Sequence, residues 1–257
     1  MNLKTGNIVD KPLFDSPLDM FWHAARTYPD RGALSSEHSE LSYAELAVAV
    51  VSLAGQIRAF EKNRPKVAIV LPNGIEFCCA VYAGWQAGGI VSTHNSLQPE
   101  AALESQFSLV MPDLVIAAPE HRETIERITE NTDYLFLRDG YFADNKAQAQ
   151  TRPDWPVAAV DDLSLLLFTG GTTGTPKSVE HSFATISASV RGMEHAWPTD
   201  SGKEVWLSIP PMFHVYGFLF CVMNPIFSAA TNVMAYPFHP ETCVTLLKKH
   251  RVTVLSG

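Results

Sequence analysis

Residues 168–177 read Phe-Thr-Gly-Gly-Thr-Thr-Gly-Thr-Pro-Lys, directly after an apolar run at 163–168. Their chemistry is that of an anion cradle. Gly170, Gly171 and Gly174 let backbone amides approach an anion closely and turn through positive φ. Thr169, Thr172 and Thr173 add neutral hydroxyl donors, and Lys177 adds a positive charge suited to a polyphosphate. Such a loop can bind the β- and γ-phosphates of a nucleotide and stabilise pyrophosphate as it leaves. The pattern GxxxxGK[ST] is not met, because Pro176 stands where glycine must precede Lys177. The dinucleotide fingerprint GxGxxG is absent from this segment as well.

A second segment, residues 209–217, reads IPPMFHVYG. A histidine at a strand-to-helix turn can donate a hydrogen bond to a carboxylate and so orient it. Alone, His214 reads as a satisfied core histidine. With Lys177 of the cradle 37 residues upstream, it reads as a ligand for substrate. Phe213, Tyr216 and Gly217 flank it as candidates for a substrate pocket. From Val205 to Pro240 there is no Asp, Glu, Lys or Arg, yet prolines and asparagines interrupt the stretch. A membrane span needs about 20 continuous apolar residues, so a buried strand–helix–strand is expected here.

The run FTGGTTGTPKSV resembles the phosphate-loop signature YTSGTTGxPKGV of adenylate-forming enzymes, a superfamily that includes acyl-CoA synthetases. Thr169, Gly171, Thr172, Thr173, Gly174, Pro176 and Lys177 carry the match. Gly170 replaces a common serine, and Ser178 a common glycine. The run PMFHVYG is similar to the same superfamily's PxFHxxG signature. Weaker echoes extend the likeness from about Asp15 to Gly257: LSYAEL at 41–46, VAIVLPN at 67–73 with Glu76-Phe77, AGG at 87–89 with Asn95, and RVTVLSG at 251–257. At Thr93 the family usually has proline.

The resemblance implies ATP-dependent activation of a carboxylic acid, with a fatty acid as the first expectation, to an acyl adenylate. Transfer to coenzyme A follows, or in the alternative to a carrier protein. A non-catalytic binding or scaffold remnant is the rival from another class. By carry-over, Thr173, Lys177 and His214 are the catalytic candidates. Thr169, Gly170, Gly171, Thr172, Thr173, Gly174 and Lys177 would hold the nucleotide, and Phe213, His214, Tyr216 and Gly217 the acid. ATP, Mg2+ and coenzyme A are implied as cofactors or co-substrates, with no metal ligand assigned in this chain. Family segments that hold magnesium and ribose, and a small C-terminal domain with its lysine, have no counterpart in residues 1–257. The chain is therefore expected to be an incomplete N-terminal domain that does not catalyse at a useful rate alone.

The elements that must position these residues read as α/β, with mixed, largely parallel sheets flanked by helices. Continuous apolar runs at 66–71, 113–118, 134–137, 163–168, 205–209, 232–236 and 252–255 suit strands buried on both faces. Helices are expected at 17–28, 44–60, 75–87, 121–130, 215–227 and 241–250. The polar stretch 139–156 divides the single partial domain into a first block, 1–150, and a second, 157–257, that bears the loop. Charged residues make up 18% of the chain, against roughly 25% in ordinary domains, so much of its surface is expected to be covered. The net charge of −8 offers no basic stripe for nucleic acid. Cys78, Cys79, Cys221 and Cys243 match neither zinc nor redox spacing, and they read as reduced, buried thiols of a cytoplasmic protein. The N-terminus has no apolar signal core. Oligomeric state stays open.

Overall fold

The computed structural model describes residues 12–142, 151–169 and 176–256. Helix α1 (Pro17–Thr27) starts where Ser16 accepts the amide of Asp19 and Pro17 fills the first helical position. Strands β1 (Gly32–Ser35) and β2 (Glu40–Ser42) form a hairpin. Ser42 and Glu45 then form a capping box that opens α2 (Tyr43–Arg58). Next come β3 (Lys66–Val70), α3 (Ile75–Gln86), β4 (Ile90–Thr93), α4 (Glu100–Val110) and β5 (Leu114–Ala117). The first half closes with α5 (Arg122–Ile128) and β6 (Asp133–Phe136).

Beyond the polar connection lie β7 (Leu163–Thr169), β8 (Lys177–Ser182), α6 (Phe183–Ala196) and β9 (Val205–Ser208). The expected helix at 215–227 is a composite. A short α7 (Val215–Gly217) runs into a π-helical stretch (Phe218–Met223) and then α8 (Asn224–Phe227). The chain continues through β10 (Thr231–Met234), α9 (Pro240–His250) and β11 (Val254–Ser256).

Two sheets result. One has the order β11-β9-β10-β1-β2, parallel except for β2. The other has the order β6-β5-β3-β4-β7-β8, parallel except for the edge strand β8. The two blocks of sequence are not the two sheets. Strands β1 and β2 join the sheet of β9–β11, and β7 and β8 join the sheet of β3–β6. Strand pairing is decided by which apolar edges meet, not by where a polar stretch falls in the sequence.

One large core cluster draws residues from both sheets, including Leu34, Ile69, Leu167 and Met234. Helix α3 is buried at every position, as a helix apolar on nearly all sides must be. Gly88, at φ +86°, then turns the chain into β4. All four cysteines are free and buried. Among the described residues no helix is long and apolar enough to cross a membrane.

Candidate active site

Strand β7 is built around four leucines and ends in Thr169, and β8 returns beside it. Thr169 and Lys177 face each other in register, and the Thr169 hydroxyl reaches the Lys177 carbonyl at 3.4 Å. The cradle therefore sits at the tip of an antiparallel hairpin. Gly170, Gly171, Thr172, Thr173 and Gly174 lie outside the described residues. Their two flanks still separate this loop from a Walker loop, which runs from strand into helix, whereas this one runs from strand into strand.

The histidine segment crosses from the other sheet. After β9 the chain turns at Pro210-Pro211, and His214 caps α7, its Nδ1 accepting the amide of Tyr216 at 3.3 Å. With Nδ1 engaged as acceptor, Nε2 carries the ring proton and is free to donate. The turn is compressed: the His214 amide donates to Pro211 O at 3.1 Å, and the Phe218 amide to His214 O at 2.7 Å.

Side chains at the carboxyl ends of β3 and β4 hold this turn. The Asn73 amide nitrogen donates to Pro210 O at 2.8 Å, and its oxygen accepts the Met212 amide at 2.8 Å. The Thr93 hydroxyl donates to Phe213 O at 3.1 Å. Thr93 pairs with Leu167, two residues before Thr169. The hairpin that carries the cradle and the turn that carries His214 are thus linked at one end of the sheets. Carboxyl ends of strands are where open α/β sheets bind ligands.

Behind them lies His94, to which the sequence alone gives no role. It is buried, and its ring packs on Phe168 and Phe107 with centroids 5.1 Å away. Its Nδ1 donates to Gln106 Oε1 at 2.7 Å, so Nε2 accepts from the Ser92 hydroxyl at 2.9 Å. Burial holds its pKa down to about 4, against a partial opposing effect of Gln106. The unfolded chain, with an ordinary pKa near 6.5, binds this proton first. The resulting stabilisation is complete above about pH 6.5 and lost as the pH falls towards 4. It amounts to about 3 kcal/mol at most. Urea unfolding across that window is expected to show the slope in the wild type and a shallower one in His94→Gln. Equal slopes would contradict the assignment.

A cleft of about 870 Å³ opens beside α7, with Trp206, Tyr216, Phe220 and Leu255 among its walls. The Tyr216 and Phe220 rings meet at a tilt of 36° with centroids 4.5 Å apart. Of the four expected pocket residues, only Tyr216 faces this cleft. Phe213 packs against the main core, Gly217 is buried under Pro211, and His214 is exposed at the turn. Trp206 and Phe220 are wall residues that in sequence belong to a generic aromatic stretch. Among the described residues no group of three or more His, Cys, Asp or Glu could hold a metal ion.

A family model described as AMP-binding enzyme matches residues 21–257. The chain belongs to the AMP-binding enzyme family. Curated relatives are CoA ligases. The mitochondrial malonate–CoA ligase ACSF3 of Bos taurus is 27% identical, over 84% of this chain and 38% of the relative. The long-chain-fatty-acid–CoA ligase of Bacillus subtilis is 28% identical, over 91% and 48%. The chain thus spans less than half the length of these relatives. The N-terminal domain of FACL13 from Mycobacterium tuberculosis superposes with a TM-score of 0.83 at 20% identity, covering 95% of this chain and 63% of that one. The o-succinylbenzoate CoA synthetase MenE of Bacillus subtilis superposes with a TM-score of 0.79 at 22% identity, covering 93% and 61%. The two-sheet architecture is that of the family's N-terminal domain.

Proposed function

We propose that this chain supplies the pyrophosphate cradle and the carboxylate-positioning histidine of an ATP-dependent acid–thiol ligase. The observation that carries this reading is the linkage just described: the hairpin bearing Thr169 and Lys177 and the turn bearing His214 meet at the carboxyl ends of adjoining strands. Fixed donors aimed at developing charge, and reactants held in line, are how such reactions are accelerated.

In the first step a carboxylate oxygen attacks the α-phosphorus of ATP. A carbon–oxygen–phosphorus link forms, the bond to the β-phosphate oxygen breaks, and pyrophosphate leaves with the electron pair. Thr169, Gly170, Gly171, Thr172, Thr173 and Gly174 would bind those phosphates, with Lys177 and Thr173 countering the growing charge. His214 would donate from Nε2 to the carboxylate. In the second step the thiol of coenzyme A, giving up its proton to solvent, attacks the acyl carbon; a carbon–sulfur bond forms, the bond to the phosphate oxygen breaks, and AMP departs with the electron pair. Magnesium, carried on the nucleotide phosphates, would supply further charge neutralisation when bound. The apolar walls at Trp206, Tyr216, Phe220 and Leu255 favour a fatty acid as the acid. The same cleft is also lined by Lys203, together with Glu194, Asp200 and Glu204, so a second carboxylate on the acid would find a cationic partner there.

Calorimetry with inorganic pyrophosphate and with ATP tests the cradle. Removing a charged donor costs about 1.5–3 kcal/mol, or roughly 10- to 100-fold in affinity. Lys177→Ala is expected to weaken both ligands by that factor. Equal affinity in wild type and variant would end the reading. Carboxylate-dependent pyrophosphate exchange is expected to stay near background for this chain alone.

A further inference from the structure

From the hydrogen bonds that reach across to the histidine turn, we infer that Asn73 and Thr93 are positioning residues for His214. The inference rests on the function proposed above. The turn at 209–214 belongs by sequence to the sheet of β9, yet Asn73, in the turn after β3, and Thr93, at the end of β4, reach it from the other sheet, with the Cys221 thiol also 3.7 Å from Pro210 O. Pro210 and Pro211 can give no amide to a ladder, so the segment has few ways to fix itself. Asn73 engages it at Pro210 O and Met212 N, with a longer 3.5 Å contact to Ile209 O. Thr93 engages the carbonyl of Phe213, one residue before His214.

The chemistry of each position is specific. Asn73 is needed as both donor and acceptor, because it meets a carbonyl on one side and an amide on the other. The substitution Asn73→Asp would keep only the acceptor. Thr93 is buried, and its hydroxyl is the atom that reaches Phe213 O. A valine of the same shape would leave that carbonyl facing a methyl group. Strand β4 also pairs with β7 at Leu167, so the register that places Thr93 against Phe213 places it beside the base of the cradle. Both substrate-facing elements are referred to one rigid edge, and a shift of either strand end would move His214 relative to the phosphates. That dependence is what positioning requires.

The test uses ring nitrogen NMR of the whole 257-residue chain at about pH 8, where an ordinary imidazole is unprotonated. In the wild type a single Nε2–H form of His214 is expected, with a protected Met212 amide. Thr93→Val and Asn73→Asp are expected to broaden or shift the His214 ring signals while those of His23, on α1, stay in place. Thr93→Ser is expected to restore them. With octanoate titrated in the presence of ATP, the concentration that half-shifts His214 is expected to rise about five-fold for each lost hydrogen bond. Unchanged His214 signals in both variants would overturn the assignment. So would a Met212 amide that exchanges as a free loop amide in the wild type, a measurement that needs no variant to fold. If the variants move the His214 signals but octanoate moves them in no protein, the clamp stands and the ligase reading falls.

Discussion

Replacing Gly217 with alanine is expected to destabilise the chain by at least about 3 kcal/mol, at or beyond the upper end of ordinary overpacking. The reason is proximity rather than backbone torsion, since the glycine has right-handed helical angles. A Cβ built there falls 2.0 Å from Pro211 O and 2.5 Å from Pro211 C. Both are backbone atoms inside a turn already pinned by Asn73, so no flexible side chain can yield. The turn must open, and His214 with it. Gly192 supplies the control: it lies within α6, and an added Cβ there meets nothing within 4 Å. Gly192→Ala is expected to stabilise by about 0.5–1 kcal/mol. Urea midpoints for the two variants should move in opposite directions. A Gly217→Ala midpoint equal to wild type would mean the turn is looser than described.

The second large effect is at Trp85. This residue is wholly buried in α3, and its indole N–H donates to Ser164 O on β7 at 2.8 Å. Its ring meets Tyr82, Phe183 and Phe218 edge-on, with centroids 5.7, 5.4 and 6.0 Å away. It therefore joins the strand beneath the cradle, helix α6 and the π-helical stretch. Trp85→Ala should cost about 4 kcal/mol, from the lost burial and the cavity, and it strands a buried carbonyl. Trp85→Phe keeps most of the ring and should cost about half as much. Natural domains hold about 5–15 kcal/mol in total, so the alanine variant is expected near the edge of stability. Urea unfolding with an unchanged slope would establish a loss in the native state.

Much of this fold could be read from the chain because its central strands β3, β5 and β7 are largely buried. Val67–Leu71, Leu114–Ala117 and Leu165–Phe168 are continuous apolar runs, and α3 is apolar nearly all round. Strands β1 and β4 gave no such signal, being four residues each and partly built from Gly, Ala, Ser and Thr. Helix α4 was silent because it buries only Leu103, Phe107 and Val110, and α6 because serines and a glycine dilute its pattern. Strand β8 carries no apolar signal, since four of its six residues are exposed and it exists through its pairing with β7. At the site, the loop and the histidine segment were legible because each is local. The clamp was not, because Asn73 meets Pro210 across 137 residues and Thr93 meets Phe213 across 120. Only folding brings such partners together.

The pairing of β1 with β10 has a consequence for the chain's birth. Leu34 lies opposite Asn232, so the N-terminal hairpin has no parallel neighbour until roughly 200 further residues have been made. At about 5–20 residues per second on the ribosome, that wait lasts roughly 10–40 s. Throughout it, the buried face of β1 and the α1–α2 pair are without the strands that cover them. The sheet of β3–β6 can close much earlier, from contiguous sequence. Nascent chains stalled just short of Asn232 should thus display one finished sheet and one exposed, unpaired edge, the form of the protein in most need of a chaperone.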